Sequence, residues 1–444
     1  MAYIIKNAKV VNEGAILDAD IQIKNDRIHR IGNDISEKNA EYIDAKGQFL
    51  LPGVIDDQVH FREPGLTHKA SIASESKAAL AGGITTFIEQ PNTIPLTTSI
   101  ERLEEKFRIA KKTSFANYSF MLGGTNNNLE EIKKLSPLSC AGIKIFLGSS
   151  TGNMLINDEK AIGSIFSSTN LVISSHCEDE MRIRNNLEFY KSKFGNNIPM
   201  RYHYKIRDTE ACFLSSSRAI KIAKKTGARL HIFHVSTGKE INLFDNTTPL
   251  KQKKITAEAC VHHLWFSKKD YTTKGSLIKW NPSIKTKKDR KALRKAILED
   301  KIDIIASDHA PHTLAEKSNS YLNCPSGGPL VQHALLVMLE LFLKGKITIT
   351  KVVEKMCHNP SILFQIKDRG FIREGYFADL VLVDLQDSQK VSKGNLLYKC
   401  GWSPFEGEVF QSKVTHTFVN GKLMFSKGKV SSDIFSKRLE FNRG

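Results

Sequence analysis

Residues 52–65 read Pro-Gly-Val-Ile-Asp-Asp-Gln-Val-His-Phe-Arg-Glu-Pro-Gly. Val54 and Ile55 start an apolar strand. Past its end, His60 and Arg62 stand two residues apart, so an extended backbone turns both to one face. An imidazole is a good ligand for a divalent metal, and the arginine fork suits a carboxylate. A metal ligand beside an anion clamp, at the mouth of a strand, points to an enzyme that acts on a small acid.

Outward from this stretch the same form recurs. Gly142-Ile-Lys-Ile-Phe146 carries Lys144 between two isoleucines. Leu171-Val-Ile-Ser-Ser-His176 ends in His176 and continues into Cys177, Glu178 and Asp179. Leu230-His-Ile-Phe-His-Val235 presents His234, and residues 302–312 present Asp308, His309 and His312. A lone histidine on an apolar strand is usually a satisfied core residue. Five such strand ends together are better explained as one polar site.

Eight strand-like runs fall between residues 52 and 310: 53–55 with its extension, 84–90, 116–122, 142–147, 171–176, 230–235, 255–262 and 302–307. Helical stretches lie between most of them, at 69–81, 100–111, 209–225 and 288–298. Alternating strands and helices imply a parallel sheet, and eight units imply an α/β fold of the closed (β/α)8 TIM-type barrel class. The chemistry-bearing side chains then sit at the C-terminal strand ends, where such barrels build their sites. Both flanks differ. Residues 3–6 and 19–23 give short alternating strands with a turn at 24–26. The tail returns to that style from residue 370, with a hairpin at Asn420-Gly421 between 414–419 and 422–425. The expected organisation is a small β-sandwich domain made of 1–51 and 356–444, beside a barrel of 52–355.

Composition narrows the function. The chain has 444 residues, 41% of them hydrophobic, which is enough for one large core. No run reaches the roughly eighteen apolar residues of a membrane span, and the start does not read as a signal peptide. The seven cysteines are scattered and never form a Cys-x-x-Cys pair, so a reducing cytoplasm is expected rather than disulfides or a zinc ribbon. The net charge of +18 is mostly lysine spread over the predicted outer helices. Its densest runs, 251–254 and 285–288, lack interleaved aromatics, so no nucleic-acid partner is expected. The diffuse positive field instead suits an anionic substrate.

Seven motifs make the chain resemble the amidohydrolase superfamily, and within it the dihydroorotases of the long, sandwich-bearing type. They are Val59-His-Phe-Arg-Glu-Pro-Gly65, Gln90-Pro-Asn-Thr93, Gly142-Ile-Lys-Ile-Phe146, His176-Cys-Glu-Asp179, Phe233-His-Val-Ser-Thr237, Lys279-Trp-Asn-Pro282 and Ser307-Asp-His-Ala-Pro-His312. The resemblance spans nearly the whole chain. It implies reversible hydrolysis of the ring amide of dihydroorotate to N-carbamoyl-L-aspartate in pyrimidine (UMP) synthesis. It implies metal ligation by His60, Lys144, His176, His234 and Asp308, with one or two Zn2+ ions and Lys144 carboxylated. The alternative role for Lys144 is a buried amine paired to Asp308. Asp308 would also serve as general base and then acid. Arg62, Asn92 and His312 would hold the substrate carboxylate, Asn281 the ring polar atoms, and the backbone at Ser326 and Gly327 would complete the pocket. His309 and the His262-His263 pair would back the site, and Cys177 and Cys260 would pack. Allantoinases carry Asn where this chain has Arg62, and dihydropyrimidinases lack the Arg-Glu-Pro-Gly stretch.

One position departs from the family. The usual His-x-His has Gln58 as its first member here, on the His60 face, with Asp57 turned to the other. An amide carbonyl is a weaker zinc donor than imidazole. Two alternatives stay open beside the active dihydroorotase: a non-catalytic relative serving as structural partner of aspartate transcarbamoylase, and a related cyclic amidohydrolase such as allantoinase. A homo-oligomer is expected, with transcarbamoylase association a further option.

Overall fold

The apolar runs form eight parallel strands in the computed structural model, which describes residues 2–148 and 154–443. In chain order they are β1 (Val54–Val59), β2 (Ile84–Glu89), β3 (Asn117–Gly123), β4 (Gly142–Phe146), β5 (Ile173–His176), β6 (Leu230–Ile232), β7 (Ile255–Cys260) and β8 (Ile304–Ala306). Each pairs with its sequence neighbour. The ring closes where Val59 bridges His309 and the His60 N–H donates to His309 O at 2.7 Å. Nearly every strand residue is buried, because helices cover the outside and side chains fill the inside. That double burial makes these strands near-continuous apolar runs rather than simple alternations.

Helices Ile72–Ala81, Ile100–Thr113, Thr209–Thr226 and Lys287–Leu298 fill the expected intervals. Their starts are capped by Ser71, Ser99, Asp208 and Thr286, whose side-chain oxygens accept from backbone N–H groups of the first turn. Gly227, at φ 75°, ends the third helix in the left-handed conformation that glycine adopts without strain.

The strands' N-terminal ends are closed by an apolar cluster. Ile55, Ile88, Met121, Val172 and Ile304 meet Phe364, Leu439 and Phe441 from the C-terminal part of the chain. The Leu439 N–H donates to Tyr118 O at 3.0 Å, holding that segment in place. The open mouth is therefore the opposite end, where the motif residues lie.

Strands from both termini form a second, nine-stranded sheet with its own core of Ile5, Val10, Ile21, Ile23, Leu380, Leu382 and Phe418. Ala2–Asn12 pairs antiparallel with Ala15–Lys24 and parallel with Phe49–Pro52, which in turn pairs antiparallel with Leu380–Asp384. The Asn420-Gly421 hairpin joins Lys413–Val419 to Lys422–Ser426 as the sequence indicates, with both turn residues at positive φ. Polar side chains tie the two bodies together. Asn117 of β3 donates to Asp379 at 3.1 Å, and Asn420 donates to Asn117 at 2.8 Å. Gly53 is the hinge between them. A Cβ there would lie 2.1 Å from Thr85 Oγ1, so only glycine lets the chain pass.

Candidate active site

Strand ends set the geometry. His60 follows β1, Lys144 lies within β4, His176 ends β5, and His234 and Asp308 each stand two residues beyond their strands. Ten of the eleven expected site residues line one cleft: His60, Arg62, Asn92, Lys144, His176, His234, Asn281, Asp308, Ser326 and Gly327. Gln58, Phe146 and Trp280 complete its walls. The eleventh, His312, is fully buried and is not among the lining residues; it stands behind Arg62, with its Nε2 3.1 Å from Arg62 Nη2. Arg62, His234 and Asp308 have φ of 72°, 39° and 50°, a region that non-glycine residues seldom occupy. Three such residues in one cleft indicate backbone strain held in place by the surrounding barrel.

Each imidazole is oriented by a partner. His60 Nδ1 donates to Asn92 Oδ1 at 2.7 Å, leaving Nε2 as a lone pair 3.5 Å from Asp308 Oδ1. His176 Nε2 donates to Glu178 Oε2 at 3.0 Å, so its Nδ1 faces His234 Nε2 at 3.0 Å. Burial is the main cause that holds the pKa of all three rings below the ordinary histidine range, and for His60 and His234 well below it. The Lys144 ammonium adds to the effect on each. Neutral rings with an aimed nitrogen are the ligand form of histidine.

Lys144 is 1% exposed, and its Nζ makes no hydrogen bond. Among the described residues it has no ion pair with Asp308 within 4 Å, and that carboxyl acts on it through charge alone. Burial lowers its pKa to about 7, against the opposing pull of Glu258 and Asp308. A large share of the amine is then neutral at physiological pH, the form that reacts with carbon dioxide. Burial likewise raises the Asp308 carboxyl well above its usual range, with Lys144 and Arg62 pulling the other way.

The donor set fits a metal. Among the described residues Lys144 Nζ and His234 Nδ1 are buried polar atoms without a hydrogen-bond partner, although Nζ rests over the Phe233 ring at 3.9 Å; such a state is costly unless something else satisfies them. Carboxylation would turn the lysine into an anionic ligand, and His60, His176, His234 and Asp308 supply nitrogen and oxygen donors of the type that zinc takes.

Arg62 is braced from behind the wall. Arg62 is 2% exposed and its Nε donates to Pro311 O at 3.0 Å. Lys69 Nζ lies 3.1 Å from His312 Nδ1 and 2.8 Å from Glu316. If Nδ1 accepts from that ammonium, His312 Nε2 carries the proton and donates to Ser326 O at 3.1 Å. Nη2 of Arg62 then finds no lone pair on the ring, and its hydrogens remain for an anion in the cleft. Beside it, Ser326 Oγ donates to Asn281 Oδ1 at 3.0 Å. Gly327, at φ 126°, passes so close to Ala310 that a Cβ would lie 2.4 Å from its carbonyl oxygen.

The backing residues agree with the sequence reading in part. His309 Nε2 meets Glu75 at 2.9 Å and its Nδ1 accepts from Leu330 N at 2.9 Å, so its ring faces away from the cleft. His262 stacks on Trp280 at 4.6 Å. Cys177 and Cys260 are buried thiols whose pKa is raised by burial. Sequence reasoning missed the role of Glu178, which orients His176 and is held ionised by Arg207. Despite burial its pKa is lowered to about 2. The position of Glu178 two residues past His176 is a usable signal, whereas nothing in the sequence ties Arg207 to it. It also missed Glu258 of β7, which accepts the His234 N–H at 3.0 Å.

Known proteins agree with this architecture. The Amidohydrolase family matches residues 49–424. A dihydroorotase of Methanosarcina mazei is 34% identical over 416 residues, covering 91% of this chain and 90% of its own. A dihydroorotase of Carboxydothermus hydrogenoformans is 34% identical over 441 residues, covering 96% and 99%. Among solved structures, the L-hydantoinase (dihydropyrimidinase) of Arthrobacter aurescens superposes with a TM-score of 0.93 at 27% identity, over 99% of both chains. With its eight-stranded barrel, its polar cleft and these relatives, the chain belongs to the amidohydrolase family, as a cyclic amidohydrolase.

Proposed function

We propose that this cyclic amidohydrolase is a dihydroorotase, opening the ring amide of (S)-dihydroorotate to N-carbamoyl-L-aspartate and closing it again. The observation that carries the reading is Arg62, a buried guanidinium in the same cleft as the ligand-type side chains. Hydantoins and dihydropyrimidines are cyclic amides without a ring carboxylate. A desolvated arginine aimed into the cleft favours the one that is an acid. The dihydroorotase relatives at 34% identity support the same choice.

Zinc held by His60, Lys144, His176, His234 and Asp308, with Lys144 carboxylated, would lower the pKa of water and polarise the scissile carbonyl. The chain's own residues do the rest. Arg62 fixes the substrate carboxylate and so sets which ring bond faces Asp308. Asn281, steadied by Ser326, meets the polar edge of the ring. Asn92 keeps His60 in one tautomer through the 2.7 Å bond. Asp308 takes a proton from the attacking water as the carbon–oxygen bond forms. It returns that proton to the ring nitrogen as the carbon–nitrogen bond breaks, which balances the step. Phe146 and Trp280 exclude bulk water from the wall.

The test is turnover in both directions with zinc and bicarbonate supplied, with hydantoin, dihydrouracil and allantoin as competitors. Dihydroorotate is expected to be the best substrate, and chelation to abolish turnover. Preference for an uncharged ring would overturn the assignment. Absence of any turnover, with tight binding to aspartate transcarbamoylase, would instead support the non-catalytic role.

A further inference from the structure

Strict alternation from His60 would turn Asp57 outward to the helices, but the register of β1 shifts between Asp56 and Val59, and Asp57 stays inside. It meets His231 of β6 and Glu258 of β7 inside the barrel, all three fully buried. Ligand-type atoms of the three lie within 4.8 Å of one another. His231 Nε2 is 3.3 Å from Asp57 Oδ2 and 3.9 Å from Glu258 Oε2.

What these atoms lack is a donor. Both Asp57 oxygens, Glu258 Oε2 and His231 Nε2 make no hydrogen bond. The other His231 nitrogen is used: Nδ1 lies 2.8 Å from Thr256 Oγ1. In the tautomer that carries the proton on Nδ1, this bond is donated to the hydroxyl, which has Leu230 O at 3.5 Å for its own hydrogen. In that tautomer the ring's lone pair, on Nε2, faces the carboxylates of Asp57 and Glu258. Three acceptors converge in a dry space, and burying them unpaired is costly. A tetrahedral site with bonds of about 2.0–2.2 Å has donor atoms about 3.4 Å apart, and His231 Nε2 stands 3.3 and 3.9 Å from the two carboxylates.

We propose that Asp57, His231 and Glu258 bind a divalent transition-metal ion of the zinc class, at a site distinct from the ligand set in the cleft. Two carboxylates and one imidazole match its preference for nitrogen and oxygen donors, and the ion's charge balances theirs. The three ligands come from β1, β6 and β7, so the ion ties strands that are not all neighbours. It also sets the other end of Glu258, whose Oε1 accepts the His234 N–H at 3.0 Å and a contact from the Cys260 thiol at 3.1 Å. The buried ion thus acts as a positioning element for His234, and its ligand atoms are shared with none of the cleft's.

Wild-type crystals grown with zinc chloride, with data collected on both sides of the zinc absorption edge, decide the matter. The expected result is an anomalous peak bonded to Asp57, His231 Nε2 and Glu258 Oε2. Metal analysis after exhaustive dialysis is the second arm. Asp57→Asn should lose one ion per chain relative to wild type, whereas Lys144→Ala should lose cleft ions and keep this one. No peak at the cluster while the cleft is filled, or equal metal content in wild type and Asp57→Asn, would overturn the proposal. Should Asp57→Asn fail to fold, the wild-type map and the ion retained by Lys144→Ala still decide. Failure of the dihydroorotase reading would show in turnover alone and leave this peak unaffected.

Discussion

His60 Nε2 lies 3.5 Å from Asp308 Oδ1, although the two residues follow the first and last strands of the barrel. Closure of the ring through the His60 N–H and His309 O makes that pair possible. Asp308 can therefore be both ligand and proton carrier at the seam. Asp308→Asn keeps an oxygen donor of the same shape but cannot carry the proton. Its kcat should fall by about 10²–10⁴-fold, the usual worth of a positioned acid–base group. Steady-state kinetics with metal content measured in parallel checks this. A kcat within tenfold of wild type would take Asp308 out of the proton path.

Arg62 is anchored through Nε to Pro311 O, so its terminal nitrogens are pre-aimed. Arg62→Met should cost roughly 2–4 kcal/mol in transition-state binding, read as the fall in kcat/KM for dihydroorotate. Metal content should hardly change. An unchanged kcat/KM would mean that the carboxylate is bound elsewhere.

Glu178 gives a pH prediction. Its folded pKa of about 2 lies below the ordinary glutamate value of 4.5, because Arg207 and His176 favour the ionised form more than burial opposes it. The stabilisation is fully present above about 4.5 and is lost as pH falls toward 2. Glu178→Gln should be less stable than wild type at pH 7, and the gap should narrow through that window. Urea midpoints at pH 7, 4 and 3 measure it. Parallel curves for the two proteins would show that the Glu178 cluster does not contribute this term.

The barrel was legible because eight apolar runs alternate with helical intervals. The cleft was legible because its side chains extend those runs: Lys144 between Ile143 and Ile145 can face only inward. Contacts between distant loops were not legible. His312 looks like a cleft residue on spacing alone, and only the three-dimensional position of Lys69 and Arg62 shows it standing behind the guanidinium. Arg207 lies 29 residues from Glu178, with no periodicity to connect them. The Asp57 cluster was not legible: alternation sends Asp57 to the helix side, whereas an irregularity between Asp56 and Val59 and the closure of the barrel bring it to His231 and Glu258.

Lys144 titrates near neutrality, and carbamate forms only on the neutral amine. Below a pKa of about 7 the ammonium dominates; above it the reactive form does. Loading of metal-free protein with 13C-labelled bicarbonate should therefore rise with pH around 7, read as a carbamate carbon resonance absent from Lys144→Ala. A signal of equal strength at pH 6 and pH 8.5 would contradict a lysine desolvated in this way.

Gln58 lines the cleft with an amide in place of an imidazole, and its Oε1 is 3.6 Å from the Cys260 thiol. The carbonyl is the weaker zinc donor, so the position shared by His60 and Asp308 should bind metal less tightly than that of His176 and His234. Gln58→His should raise occupancy at low free zinc. Activity should rise less, because the neighbours are arranged for an amide. Cys260 Sγ contacts Glu258 Oε1 at 3.1 Å as well as Gln58, and a new ring must be oriented by groups that now serve that thiol. A zinc titration of both proteins, followed by metal content at saturation, measures the difference. Equal affinities and stoichiometries would show that Gln58 is no weak point, and that His60 and Asp308 hold the ion without a third side-chain donor at this position.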